Sequence, residues 1–286
     1  MRAACALFGL ILWAADARGQ NITAATATEV QTLLRVAAPP AYSMQVWSFR
    51  QDAPPRYRRN PAVWTGGAID LTGKAVWNSR SGGFGTTAIS PLHVVYANHA
   101  GGLYPAGTVV RFVGSDDRVV ERSVVASVPI GDTDIDLSTL DRPLPPTVHW
   151  YKVMPERWFL KAARGLPGMI GGLPCIVLDD NTQSVAVKDL AGFTGKTFMT
   201  ATPLDLLRKR FTRELYSGDS GSPMFILVGR ELVLDGIFHW PAGGPEVSSN
   251  LAALDAAMSG SGYRTTVCDL QAFVNSFMLE STALHL

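Results

Sequence analysis

The chain has 286 residues, 47% of them hydrophobic, and a formal net charge of +1. That is enough apolar material for one large core or two smaller ones, and the near-neutral balance argues against nucleic acid or an anionic surface as the main partner. No apolar run of the mature region is long enough to span a bilayer.

In chain order, the first feature is a targeting signal. Arg2 supplies a positive charge, residues 3–14 form a short apolar stretch, and Ala15-Asp16-Ala17 offers small residues for cleavage. Residues 1–17 are therefore read as a signal peptide, and the expected destination is secreted or periplasmic. Residues 18–60 are Ala/Thr-rich and then Pro-rich, ending in Arg56-Tyr57-Arg58-Arg59. They read as a leader, a propeptide or an extended arm. Cys5 leaves with the signal, and the remaining Cys175 and Cys268 are open to either one disulfide or two separate buried thiols.

From residue 61 onward, short β-type runs alternate with Gly, Pro, Asn and Asp turns, for example at 85–89, 108–113, 118–128, 175–178, 184–187, 224–228 and 232–240. This spacing predicts an all-β barrel or sandwich. A short helix is expected near 250–258. A terminal amphipathic helix is expected from the spacing of Val267, Leu270, Phe273, Val274 and Phe277. One main domain over 61–275, divided near 150–160, and a tail over 276–286 complete the expectation.

Three blocks carry chemistry. Gly218-Asp219-Ser220-Gly221-Ser222-Pro223 places a serine between glycines, where its hydroxyl and its N–H can face one incoming carbonyl. Taken alone, this string also suits a hairpin turn. An apolar run over residues 89–100 ends in Ala97-Asn98-His99, and Asp134-Ile135-Asp136-Leu137 opens an alternating stretch. A serine hydroxyl needs a base within hydrogen-bond reach, and imidazole is the side chain that titrates naturally near neutrality. No cysteine has histidines at zinc-ligand spacing, so no metal and no cofactor are expected.

These blocks, in the order His, Asp, Ser, resemble the trypsin/chymotrypsin-like serine peptidases, in a bacterial-type form. The resemblance implies two antiparallel β-barrels with a C-terminal helix and an active site in the cleft between them. It implies His99 as general base, Asp134 as its orienting acid and Ser220 as nucleophile, with the Gly218 and Ser220 N–H groups as the oxyanion hole. Asp136 is the main alternative to Asp134, while His93 reads as structural or surface. The implied substrate is a polypeptide. A catalytically silent binding domain and an esterase on the same scaffold are the other readings.

The sequence departs from the family around the substrate. No Ile-Val-Gly-Gly string marks an activated N-terminus, so the partner of Asp219 is left open. Glu214 falls where the family places the floor of the primary pocket, a position that favours Lys or Arg side chains. Trp240 falls on the strand that pairs with substrate backbone, but Pro241 follows it and removes an N–H donor. His239 stands where a serine is usual beside the triad aspartate.

Overall fold

The computed structural model describes residues 22–76, 85–158 and 172–271. The expected signal peptide, the terminal helix beyond residue 271 and the tail over 276–286 lie outside the described residues. No helix among the described residues is long and apolar enough to cross a membrane.

The fold is mostly β, as the turn spacing predicts. A hairpin of β1 (Trp47–Asp52) and β2 (Pro55–Arg59) precedes two larger antiparallel sheets. The first sheet contains β3 (Thr86–Ala88), β4 (His93–Ala97), β5 (Val109–Val113), β6 (Val119–Pro129) and β7 (Ile135–Leu140), in the order β3-β4-β7-β6-β5. Its two edges are joined by residues 73–76: Ala75 donates to Thr86 O at 2.9 Å, Ala88 to Gly73 O at 2.9 Å, and Val76 to Arg111 O at 3.0 Å.

The second sheet contains β8 (Pro174–Leu178), β9 (Val185–Thr194), β10 (Thr197–Ala201), β11 (Pro223–Val228), β12 (Glu231–Ile237) and β13 (Gly243–Pro245), in the order β12-β11-β8-β9-β10-β13. A bridge between Gly236 and Glu246 brings its two edges together into a nearly closed barrel. Glycine is required at 236 because a Cβ there would stand 2.5 Å from the Phe198 ring, which packs edge-on against Phe238.

The unbroken apolar run of β4 reflects burial on both faces. Val94 and Tyr96 point into the interior of the first sheet with Val110, Phe112, Val124 and Leu140. Val95 and Ala97, one residue out of phase, join Ile135, Leu137 and the core of the second sheet. The two sheets thus share a continuous apolar layer. The connecting segment reinforces it: Tyr151 donates to Ala88 O in the first sheet, and Leu234 of the second donates to Lys152 O.

Residues 22–60 do not form an extended arm. Residues 22–36 are helical, with Ile22, Val30 and Leu34 in the core and Thr26 Oγ1 donating to Leu227 O at 2.9 Å. In the hairpin, Trp47 packs on Tyr57 with ring centroids 5.2 Å apart. The helix expected near 250–258 is present at Leu251–Met258. Cys175 and Cys268 are two separate buried thiols.

Asp235 and Glu246 are buried at the barrel seam. Asp235 Oδ1 accepts from Trp158 Nε1 at 3.0 Å and Ser248 Oγ at 2.8 Å, and Glu246 accepts from Ser249 Oγ at 2.5 Å. Burial raises the Asp235 carboxyl to about 6 and the Glu246 carboxyl to about 7.

Two outcomes are expected. Leu34→Ala, in the N-terminal helix, should destabilise the protein by about 2–5 kcal/mol, read from the urea midpoint, because it opens a cavity against the second sheet. An unchanged midpoint would show the helix to be dispensable. The raised Glu246 carboxyl binds its proton more tightly in the folded than in the unfolded chain. Its contribution to stability is complete below pH 4.5 and is lost as pH rises through about 7. Glu246→Gln should reduce the slope of the stability–pH curve over that interval, leaving the part contributed by Asp235.

Candidate active site

The site is assembled from the ends of two neighbouring strands and one loop. β4 pairs with β7 so that Ala97 lies opposite Ile135. The next residue groups on each, His99 in the helical turn Asn98–Ala100 and Asp134 just before β7, are therefore adjacent. Asp134 Oδ1 accepts the His99 backbone N–H at 2.7 Å, and Oδ2 lies 2.6 Å from His99 Nδ1. A carboxylate can only accept, so the ring proton sits on Nδ1. Nε2, 2.7 Å from Ser220 Oγ, is left to accept from the hydroxyl. Asp136, the alternative acid, does not reach His99: it is buried and accepts from Asn98 Nδ2 at 2.7 Å. His93 is buried with Nδ1 2.8 Å from Ser90 Oγ, and desolvation lowers it to about 4, which suits a structural histidine.

The Ser220 loop needs its glycines. Gly218 has φ +100° and Gly221 φ +81°, a region that disfavours any side chain. The loop is pressed against the first sheet: Gly85 donates to Ser220 O at 2.9 Å, and a Cβ on Gly221 would stand 2.3 Å from Gly85 O. Gly221 in turn donates to Phe238 O at 2.7 Å. Among the described residues no backbone acceptor takes the Gly218 or Ser220 N–H. Within the described residues both are left for a ligand oxygen.

Asp219, whose partner the sequence leaves open, is held by backbone amides. It accepts from Tyr216 N at 2.8 Å, Asn181 N at 2.9 Å and Asp180 N at 3.2 Å. The nearby cation belongs to its neighbour: Lys74 Nζ forms a buried ion pair with Asp180 Oδ1, joining the segment that closes the first sheet to the loop after β8. Sequence reasoning missed Lys74, Asp180 and Gly85, since nothing about their local pattern marks them.

The residues expected on the substrate side, Trp240 and Glu214, are placed less simply. Trp240 is partly exposed, but its N–H donates to Gly243 O at 3.1 Å and its carbonyl accepts from Gly243 N at 3.2 Å. The chain turns back at Pro241 and both backbone groups are consumed. Glu214 is exposed, and burial pushes the Lys188 ammonium of β9 down, opposed in small part by the Cys175 and Glu214 charges.

His239 enters the site directly. Its Nδ1 lies 2.6 Å from the same Asp134 Oδ2 that His99 uses, and the two imidazoles stack with centroids 4.1 Å apart and planes 26° apart. Asp134 thus accepts two N–H groups from His99 and stands in close contact with His239 Nδ1. The sequence places His239 where a serine is expected beside this aspartate, and that position was the available signal.

No protein-family model matches the chain, and a search of curated proteins finds no match.

Lys74→Met should cost about 3–5 kcal/mol in denaturant unfolding, because it strands the Asp180 carboxylate in the interior. Lys74→Met with Asp180→Leu should recover most of that loss, since an apolar pair of similar volume replaces the ion pair. A double variant as unstable as the single one would show that the two residues do not act as a unit.

Proposed function

We propose that the chain is a secreted or periplasmic serine endopeptidase of the trypsin/chymotrypsin-like type. The observation that carries this reading is the continuous path from Asp134 through His99 to Ser220, with contacts of 2.6 and 2.7 Å, beside two N–H groups that no backbone acceptor among the described residues takes. The apolar segment at residues 3–14 supports export. The joining of each large sheet's edges, by residues 73–76 in the first and by the Gly236–Glu246 bridge in the second, supports the two-barrel architecture of that family.

In this mechanism Ser220 Oγ attacks the substrate carbonyl carbon as His99 Nε2 takes the hydroxyl proton. Asp134, holding Nδ1–H, fixes the tautomer and balances the imidazolium that forms. The carbonyl oxygen becomes an oxyanion between the Gly218 and Ser220 N–H groups, each such donor being worth about 3–4 kcal/mol where measured. His99 then returns the proton to the leaving nitrogen, and water repeats the sequence on the acyl-enzyme.

A second reading, an esterase on the same scaffold, is favoured by one observation. The Trp240 backbone is engaged by Gly243, so this edge offers little antiparallel pairing to an extended peptide. A silent binding domain is disfavoured, because it has no use for an assembled proton path.

A fluorophosphonate at pH 8 should label Ser220, with labelling abolished in Ser220→Ala and slowed by about a thousandfold or more in His99→Ala. A folded wild-type protein that stays unlabelled would falsify the reading. Turnover of matched peptide and ester libraries separates the two substrates: cleavage of esters alone would replace the endopeptidase by the esterase.

A further inference from the structure

The His239 imidazole does more than fill the place of a small side chain. His99 Nδ1 and His239 Nδ1 each approach Asp134 Oδ2 at 2.6 Å. The three ligand-type atoms lie within 4.8 Å of one another. His99 Nδ1 donates to Asp134 Oδ2 and His239 Nδ1 lies equally close to it, so the three atoms surround a space of the size that one small cation takes. The rings lie with centroids 4.1 Å apart, and both Nδ1 atoms face the same Asp134 oxygen. Asp134 Oδ1 is tied to the His99 backbone N–H, so the carboxylate is anchored by one oxygen and free to coordinate with the other. The cluster is open to solvent, with His99 36% and His239 40% exposed. An ion could therefore enter without unfolding and keep a water as its fourth ligand.

From this geometry we propose that His99, Asp134 and His239 form a reversible binding site for zinc(II), and that the ion switches the enzyme off. Two imidazole nitrogens and one carboxylate oxygen, with an open fourth position, form a donor set of the type zinc takes in tetrahedral sites. Binding requires the lone pair of each Nδ1. In both neutral rings the proton moves from Nδ1 to Nε2 through solvent, with no net change in proton count. His99 Nε2 then carries a hydrogen and cannot accept the Ser220 proton, so the nucleophile loses its base. The ion also takes the Asp134 charge that would balance a catalytic imidazolium. The inhibitory consequence rests on the serine-hydrolase reading above, while the binding itself does not. The three residues lie at 99, 134 and 239, so no local spacing announces the site, and a serine at 239 would leave only two of the ligands.

The test uses untagged full-length protein stripped with a chelator. Cobalt(II), as the spectroscopic stand-in for zinc, should give the visible absorption of a tetrahedral nitrogen/oxygen site. His239→Ser and the bulkier His239→Gln, each checked for an unchanged melting profile, should weaken that binding by about tenfold or more. Zinc should slow fluorophosphonate labelling of wild-type Ser220 by about tenfold or more, with recovery on adding EDTA. In the two variants the ratio of labelling with and without zinc should approach one. Absence of the cobalt band in the wild type, or a band and zinc sensitivity unchanged in both variants, overturns the proposal. A wild-type band that His239 variants lose, in a protein that does not label even without metal, upholds the metal site and removes the hydrolase reading instead.

Discussion

The contact on which the candidate site depends is the seating of the Ser220 loop against Gly85. Ser220 belongs to a loop leading into the second sheet, while His99 and Asp134 belong to the first. The 2.7 Å separation between Ser220 Oγ and His99 Nε2 therefore has to be maintained across two sheets. The Gly85 N–H to Ser220 carbonyl bond and the close approach of Gly221 to Gly85 do this with main chain alone. Backbone contact leaves no rotamer freedom at the junction. It also explains why residues with no chemistry of their own are tightly constrained there.

Buried charge around the loop is handled by local pairing. Asp219 is satisfied by three amide donors, and the adjacent Asp180 carries the cation Lys74. In this arrangement the Gly218 and Ser220 N–H groups have no backbone acceptor among the described residues. Lys74 is also part of the segment that joins β3 to β5, so closure of the first sheet and support of the loop are linked through one side chain.

Much of the fold was legible because strands separated by turn residues have a strong local signature. β5, β6, β8, β9, β11 and β12 overlap the apolar runs picked out by their Gly, Pro and Asp punctuation, and the helix Leu251–Met258 lies where expected. The helix over residues 22–36 was not legible as structure. Its buried contacts fall at Ile22, Val30 and Leu34, but small Ala and Thr residues between them dilute the apolar stripe until it resembles a linker. The hairpin β1–β2 was hidden for a related reason, since its proline-rich turn reads as extended chain. The Trp240 edge was misleading in a different way: its sequence suits a substrate-pairing strand, and only the reversal at Pro241 shows that Gly243 already occupies both backbone groups.

What the sequence by itself determined was local: the strand-and-turn rhythm of the chain, and a serine between glycines with a histidine and an aspartate in a compatible order. These follow from nearest-neighbour chemistry, which the order of residues contains. The tertiary structure decided the distances: that Asp134 rather than Asp136 faces His99, that His239 joins them on the same oxygen, and that Lys74 pairs with Asp180 while amides hold Asp219. Such choices turn on which face of a strand a residue occupies and which distant segment packs against it. Residues separated by 35 positions meet because β4 and β7 pair, and those separated by 106 and 121 because the two sheets pack against each other.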